Sequence, residues 1–216
     1  MKYLLMLSLL FPFLTKAQNF DKAERELILS GDTTERMYVI QTDNEKELQV
    51  LKSVSKDINP KAKDIEVLIE RMYLAVTHPT DGGVGIAAPQ VGINRNVIWV
   101  QRFDKPNYPF EVFLNPKITW KSALLRKGAE GCLSIPDARG DVLRHYIIEI
   151  SYQDRKGEKH TEIVEGFTAV IFQHEIDHLH GVLFTDRLAE QESKAYTKVE
   201  NQPDLYLEDT NTGKRN

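Results

Sequence analysis

Apolar and polar positions divide the chain into helical and extended stretches. Between Asp64 and Val76, the residues Ile65, Val67, Leu68, Met72, Leu74 and Ala75 recur at nearly helical spacing, which predicts a helix. His78-Pro79-Thr80-Asp81-Gly82-Gly83 ends it, because proline lacks a backbone donor and glycine favours turns. Asn96 to Gln101 is rich in β-formers, and Glu111 to Trp120 reads as a strand interrupted near Pro116. Residues 146–152 and 158–164 flank the turn Asp154-Arg155-Lys156-Gly157 and together read as a hairpin. Gly166 to His180 is predicted to be the main apolar helix, followed by a polar helical segment over 187–200 and a frayed end over 201–216. Residues 18–36 show no sustained period and read as a polar N-terminal extension outside the core. Strands in one block followed by helices predict an α+β fold, a single domain of mostly antiparallel strands packed around the central helix.

Composition narrows the class. With 216 residues, 41% hydrophobic and 28% charged, the chain has the profile of one ordinary globular domain. A net charge of -4 argues against non-specific nucleic-acid binding, which needs clustered positive charge. A single cysteine, Cys132, excludes an internal disulfide and any structural zinc site built from several thiolates. Residues 1–17 are a separate object. Lys2, an apolar run from Tyr3 to Leu14 and the small-residue site ending at Ala17 follow the layout of a secretory signal peptide. The run is shorter than the roughly 20 residues that span a bilayer, so no membrane span is expected in the mature chain. The expected location is therefore periplasmic or extracellular, with a cytoplasmic protein as the alternative.

The candidate chemistry starts at His174-Glu175-Ile176-Asp177-His178. On a helix, His174 and His178 lie one turn apart on one face and can hold one metal ion, with Glu175 beside the first of them. The preceding stretch is apolar, so these polar groups are expected to be buried and in need of partners. A catalytic site of this type usually has a third protein ligand. Spacing alone leaves Glu190, Glu192 and Cys132 as candidates. Gly83 and Gly85 would let backbone approach an extended peptide closely. Phe167, Val170 and Ile171 share a face with the two histidines and could line an apolar pocket closed by Val84, or could simply be core.

Three segments carry a resemblance. Gly83-Val84-Gly85-Ile86-Ala87-Ala88-Pro89-Gln90, Glu130-Gly131-Cys132-Leu133-Ser134 and Gln173-His174-Glu175-Ile176-Asp177-His178-Leu179-His180-Gly181 resemble, in this order, the three signature motifs of the peptide deformylases. The similarity runs from about residue 37 to residue 190, leaving 191–216 as a polar C-terminal tail. The resemblance implies a hydrolase that removes the N-formyl group from N-formylmethionyl peptides and releases formate. It implies one divalent ion per chain, Fe(II) with Zn(II) or Ni(II) as substitutes, held by Cys132, His174 and His178. The ion would acidify a bound water, with Glu175 as general base. Gln90 and the backbone N–H of Leu133 would stabilise the oxyanion. Arg144 or Arg139 is expected to pair with Glu130 or Asp177 and so orient the ligands. The chain is expected to act as a monomer. The competing readings are an exported metallo-amidase or metallopeptidase acting on other peptides, and a non-enzymatic peptide-binding module.

Overall fold

The computed structural model describes residues 18–209, so the expected signal peptide at 1–17 lies outside the described residues. The helix predicted from periodicity forms as α3 (Ile65–Val76), and its Ile65, Leu68, Ile69, Met72 and Ala75 are buried at the spacing of one helical face. Five strands make an antiparallel sheet in the order β1-β2-β3-β6-β7: β1 (Gly85–Ala87), β2 (Val97–Gln101), β3 (Phe110–Lys121), β6 (Ile147–Gln153) and β7 (Lys159–Glu165). The expected hairpin is β6–β7, in register from Ile147↔Glu165 to Gln153↔Lys159.

Strand β3 does not stop at Pro116. It bulges between Leu114 and Lys117, where Asn115 takes a positive φ of 53°. The Asn115 side chain accepts from the N–H of Ile58 and donates to its C=O, both at 2.8 Å, so the bulge pairs the backbone of that segment.

The central helix is α4 (Gly166–Leu179). Its Ala169, Ile171, Phe172, Ile176 and Leu179 pack with Ile98, Val100, Phe113, Ile148, Ile150 and Val164 of the five-stranded sheet into one buried cluster. Gly181, at φ 71°, closes the helix; a Cβ there would come within 2.2 Å of the Lys52 carbonyl. A second sheet, in the order β5-β4-β9-β8, comprises β4 (Leu124–Cys132), β5 (Ile135–His145), β8 (Tyr196–Lys198) and β9 (Leu205–Glu208). The architecture is thus α+β in a single domain, as expected. Among the described residues no helix is long and apolar enough to cross a membrane.

Two expectations are corrected. Residues 18–36 are not outside the core: Phe20 and Ile28 are buried in the same cluster as α3. Phe20 precedes and Ile28 ends α1 (Lys22–Ile28), which a reciprocal capping box between Asp21 and Glu24 starts. Its charged residues pair inward, Arg25 with Asp64 at 2.7 Å and Glu24 with the buried Arg95 at 2.7 Å. The C-terminal segment is not one polar helix with a frayed end either. Helix α5 (Phe184–Glu192) stops early, and β9 pairs with β4 from Leu124↔Leu207 to Arg126↔Leu205, extending the second sheet. A further helix, α2 (Glu45–Leu51), is capped by Asn44, whose side chain accepts from the N–H groups of Lys46 and Glu47.

Candidate metal centre

The β4–β5 hairpin and α4 meet where the chemistry collects. Cys132 ends β4 at a register shift between Gly131 and Cys132, which turns its side chain toward α4. There, Cys132, His174 and His178 each bring one ligand atom, all within 4.8 Å of one another. Glu190 and Glu192 are not in this group; Glu190 pairs with Arg187 and Lys194. Another set, Asp154, Glu158 and His160, is equally close in the β6–β7 turn. Its Asp154 is already occupied by the N–H groups of Lys156 and Glu158 and by the His160 ring.

The electrostatics favour a thiolate. Burial opposes charge on Cys132, but His178 and His174 outweigh it and bring the thiol down to about 5. The N–H of Ser134 donates to the Cys132 sulfur at 3.4 Å and the Gln90 amide at 3.5 Å. His174 is likewise pushed down by burial, yet Cys132 and Glu130 raise it overall. Its Nδ1 lies 2.8 Å from Glu130 Oε2, which leaves Nε2 for the ion. Two buried polar atoms find no protein partner here, His178 Nδ1 and Glu175 Oε2. A soft thiolate, two imidazoles and the orphaned Glu175 oxygen in a buried setting fit a divalent ion of the iron or zinc kind.

Glu175 is 4% exposed, and its carboxyl is raised to about 7 because burial outweighs the neighbouring histidines. The close approach of β1 to α4 depends on Gly85. A Cβ there would sit 2.5 Å from Glu175 Oε1. The space expected to admit substrate at Gly85 is therefore taken by Glu175, whereas a Cβ at Gly83 would make only ordinary contact with Leu133 at 3.5 Å. Gln90 lies on the short 3-10 turn Ala88–Val91. Its Oε1 accepts from the Ala87 N–H at 2.9 Å, which turns its NH₂ toward Cys132 and Ser134. The Leu133 carbonyl accepts from Gln41 at 3.0 Å, fixing the backbone next to Cys132.

Behind the ligands, Arg144 and not Arg139 makes the expected pairing. Arg144 is 4% exposed and forks onto Glu130 at 2.7 and 2.9 Å, while its third nitrogen reaches Asp177. Arg139 instead lines the cleft. Arg187 completes this cluster, bonding Asp177 through Nε at 2.9 Å and through Nη2 at 2.5 Å. The pairing of Arg187 was invisible in the sequence, because α5 carries a mixed charge pattern with no distinguishing period. Ser134, fully buried beside the sulfur, was legible only as part of its motif.

Glu130 also has a signature in acid. Burial opposes its charge, but Arg144 and His174 hold its carboxyl down to about 2, below the ordinary value of 4.5. A depressed carboxyl contributes stability that is full above its unfolded value and is lost as pH falls through its folded one. The metal-free Glu130→Gln protein is therefore expected to be less stable than wild type above about pH 4.5. The difference should shrink to nothing near pH 2. Chemical denaturation followed by circular dichroism across that range measures it, and a constant gap would contradict the assignment.

Cys132 and His174 face a cleft of about 860 Å³, with His178 buried behind them. Gly83, Val84 and Gly85 line one wall, and Phe167, Val170 and Ile171 line another. Every cleft residue expected from the sequence thus lies on it, with Phe167 43% exposed at its rim.

Known proteins similar to this chain in sequence and in shape agree with one another. The family model described as polypeptide deformylase matches residues 37–194. A peptide deformylase of Leptospira biflexa is 38% identical over 149 residues, 64% of this chain and 82% of that protein. One from a Caulobacter species is 40% identical over 168 residues, 74% of this chain and 93% of that one. The crystal structure of a peptide deformylase from Acinetobacter baumannii with Met-Ala-Ser bound superposes with a TM-score of 0.62 at 34% identity. That match covers 70% of this chain and 98% of the other.

Proposed function

The chain belongs to the peptide deformylase family, and from that premise we propose how its residues remove the formyl group from N-formylmethionyl peptides. The observation that carries the assignment is Glu175, a buried carboxylate with an orphaned oxygen directly beside the cluster of Cys132, His174 and His178. In this reading the three residues hold one divalent ion, Fe(II) in the working enzyme, with Zn(II) or Ni(II) as substitutes. When bound, such an ion acidifies water and polarises a carbonyl. A thiolate among the ligands suits a softer ion.

Glu175 takes a proton from the attacking water, whose oxygen adds to the formyl carbon. It then passes that proton to the methionine nitrogen as the C–N bond breaks and formate leaves. Burial raises this carboxyl above the ordinary range, which favours its holding a proton between the two transfers. The NH₂ of Gln90, its carbonyl end already occupied by Ala87, and the N–H of Leu133 face the oxygen that gains charge. The methionine side chain lies against Phe167, Val170, Ile171 and Val84. The substrate backbone runs along β1, which ends its sheet and leaves one edge toward Gly83 and the cleft. Arg144 and Asp177 orient the ligands from behind. All of these residues come from one chain, so a monomer suffices.

Gln90→Leu is expected to keep its metal and to lose about 10²-fold in kcat, the usual size for one oxyanion donor. Steady-state kinetics on a formyl-Met-Ala-Ser substrate measures this, and an unchanged kcat would remove Gln90 from the role. The whole reading is tested by metal analysis of anaerobically purified protein together with formate release. Formate with iron bound supports it, and no release with any divalent metal refutes it.

Export through residues 1–17 belongs to the same proposal. Its support is that Gln18 already takes part in the fold, accepting from Asn59 N–H at 2.9 Å and donating to Asp57 at 3.1 Å. Cleavage after Ala17 therefore leaves the described domain whole. N-terminal sequencing of protein from its host should begin at Gln18, and an intact Met1 would exclude export.

A further inference from the structure

Behind the metal centre, two acids and two arginines form a linked chain, Glu130, Arg144, Asp177 and Arg187. Each link shares an oxygen with the next. Glu130 Oε2 is bonded by both His174 Nδ1 and Arg144 Nη2, at 2.8 and 2.9 Å. Asp177 Oδ2 accepts from both Arg144 Nη1 and Arg187 Nε. Arg144 has committed Nε and Nη2 to Glu130, so only Nη1 is left for Asp177. Arg187 takes both Asp177 oxygens and spends its remaining nitrogen on Glu190 at 2.7 Å.

We propose that Arg187 is a positioning residue for the ligand His174, acting through Asp177, Arg144 and Glu130. The proposal rests on the assignment of His174 as a ligand. Without the Arg187 fork, Asp177 is free to turn both oxygens onto Arg144. That competes with Glu130 for the one guanidinium that holds it, and the Glu130–His174 bond moves with it. The set would also carry one uncompensated negative charge in a buried region, which is costly. His178 has no equivalent support, since its Nδ1 finds no partner. The His174 ring is therefore the one that this chain of contacts orients. Arg187 itself is only half-buried, sits on α5 and lines a separate cleft rather than the substrate cleft. Its loss should therefore spare substrate binding.

The test compares wild type, Arg187→Gln, Arg187→Lys and Glu190→Gln as zinc-loaded proteins. The rate of zinc loss to a chelator is read with the thermal midpoint and with kcat and KM separately. Outer groups that hold a metal ligand typically change metal affinity by about 10- to 100-fold. Arg187→Gln is expected near the low end, about tenfold faster zinc loss, with kcat reduced and KM unchanged. Arg187→Lys keeps the charge but not the fork and should recover only part of the retention. Glu190→Gln frees the outer end of Arg187 and should give a smaller change of the same sign; it decides the matter if Arg187→Gln does not fold. A lowered thermal midpoint with zinc loss at the wild-type rate would overturn the proposal, as would full rescue by lysine or a change confined to KM. Failure of the deformylase reading is distinct: there, wild type itself holds no metal or releases no formate.

Discussion

Glu175→Gln is expected to bind one metal ion per chain as wild type does and to lose about 10²- to 10⁴-fold in formate release. Glutamine keeps the shape of the side chain, so the close packing against Gly85 survives. It cannot accept a proton from water, and it cannot carry one to the departing amine. The isosteric change also leaves no charge to desolvate in a position that is 4% exposed, so folding should not suffer. Metal analysis and single-turnover formate release measured on one preparation check both halves. Turnover like that of wild type would strip Glu175 of its role, and loss of metal would recast it as part of the ion's support.

Cys132→Ala is expected to have the other large effect, and through a different route. The thiol stands down near 5 because His174 and His178 outweigh its burial, so it is ready to bind an ion as thiolate. Its removal leaves two imidazoles, too few for a site that normally uses three protein ligands. Metal retention after dialysis should fall by on the order of 10²-fold or more, beyond the range for outer-shell changes. Activity should fall with it at limiting metal. The melting temperature should stop responding to added zinc, because stabilisation by a ligand scales with its affinity for the folded state. Titration calorimetry with zinc alone reads the change. A full complement of tightly held zinc in this variant would show that another group completes the site, and the deformylase assignment would fail with it.

The elements that could be read from sequence were those whose burial follows a single period. Helix α3 and the β6–β7 hairpin each bury one face with apolar side chains, and α4 buries most of its surface. The β4–β5 hairpin was hidden because two of its inward positions hold Glu130 and Arg144, which satisfy each other rather than the apolar rule. Helix α1 is seven residues long and contributes only Ile28 to the core from within the helix, too little to make a pattern. Strands β8 and β9 are three and four residues long and exist by pairing, β9 with β4 and β8 with β9. At the candidate site, the histidine spacing was readable from helical geometry alone. Cys132 needed its motif, since a lone cysteine says nothing about the strand end that aims it. Arg144 could be separated from Arg139 only in three dimensions, because one turns inward to Glu130 and the other stays exposed on the cleft.

The contact between Gly85 and Glu175 ties two distant positions into one mutational unit. Any side chain at 85 must displace the carboxylate at 175, whose Oε1 stands 2.5 Å from where a Cβ would be. A substitution at 85 therefore acts on position 175 as well, by shifting its carboxylate. A shorter acid at 175 would not open position 85, because the Cγ that aspartate shares with glutamate already stands 2.9 Å from that Cβ position. Adaptive paths toward new substrates are thus steered away from this strand and onto the opposite wall, where Phe167, Val170 and Ile171 can vary without touching Gly85.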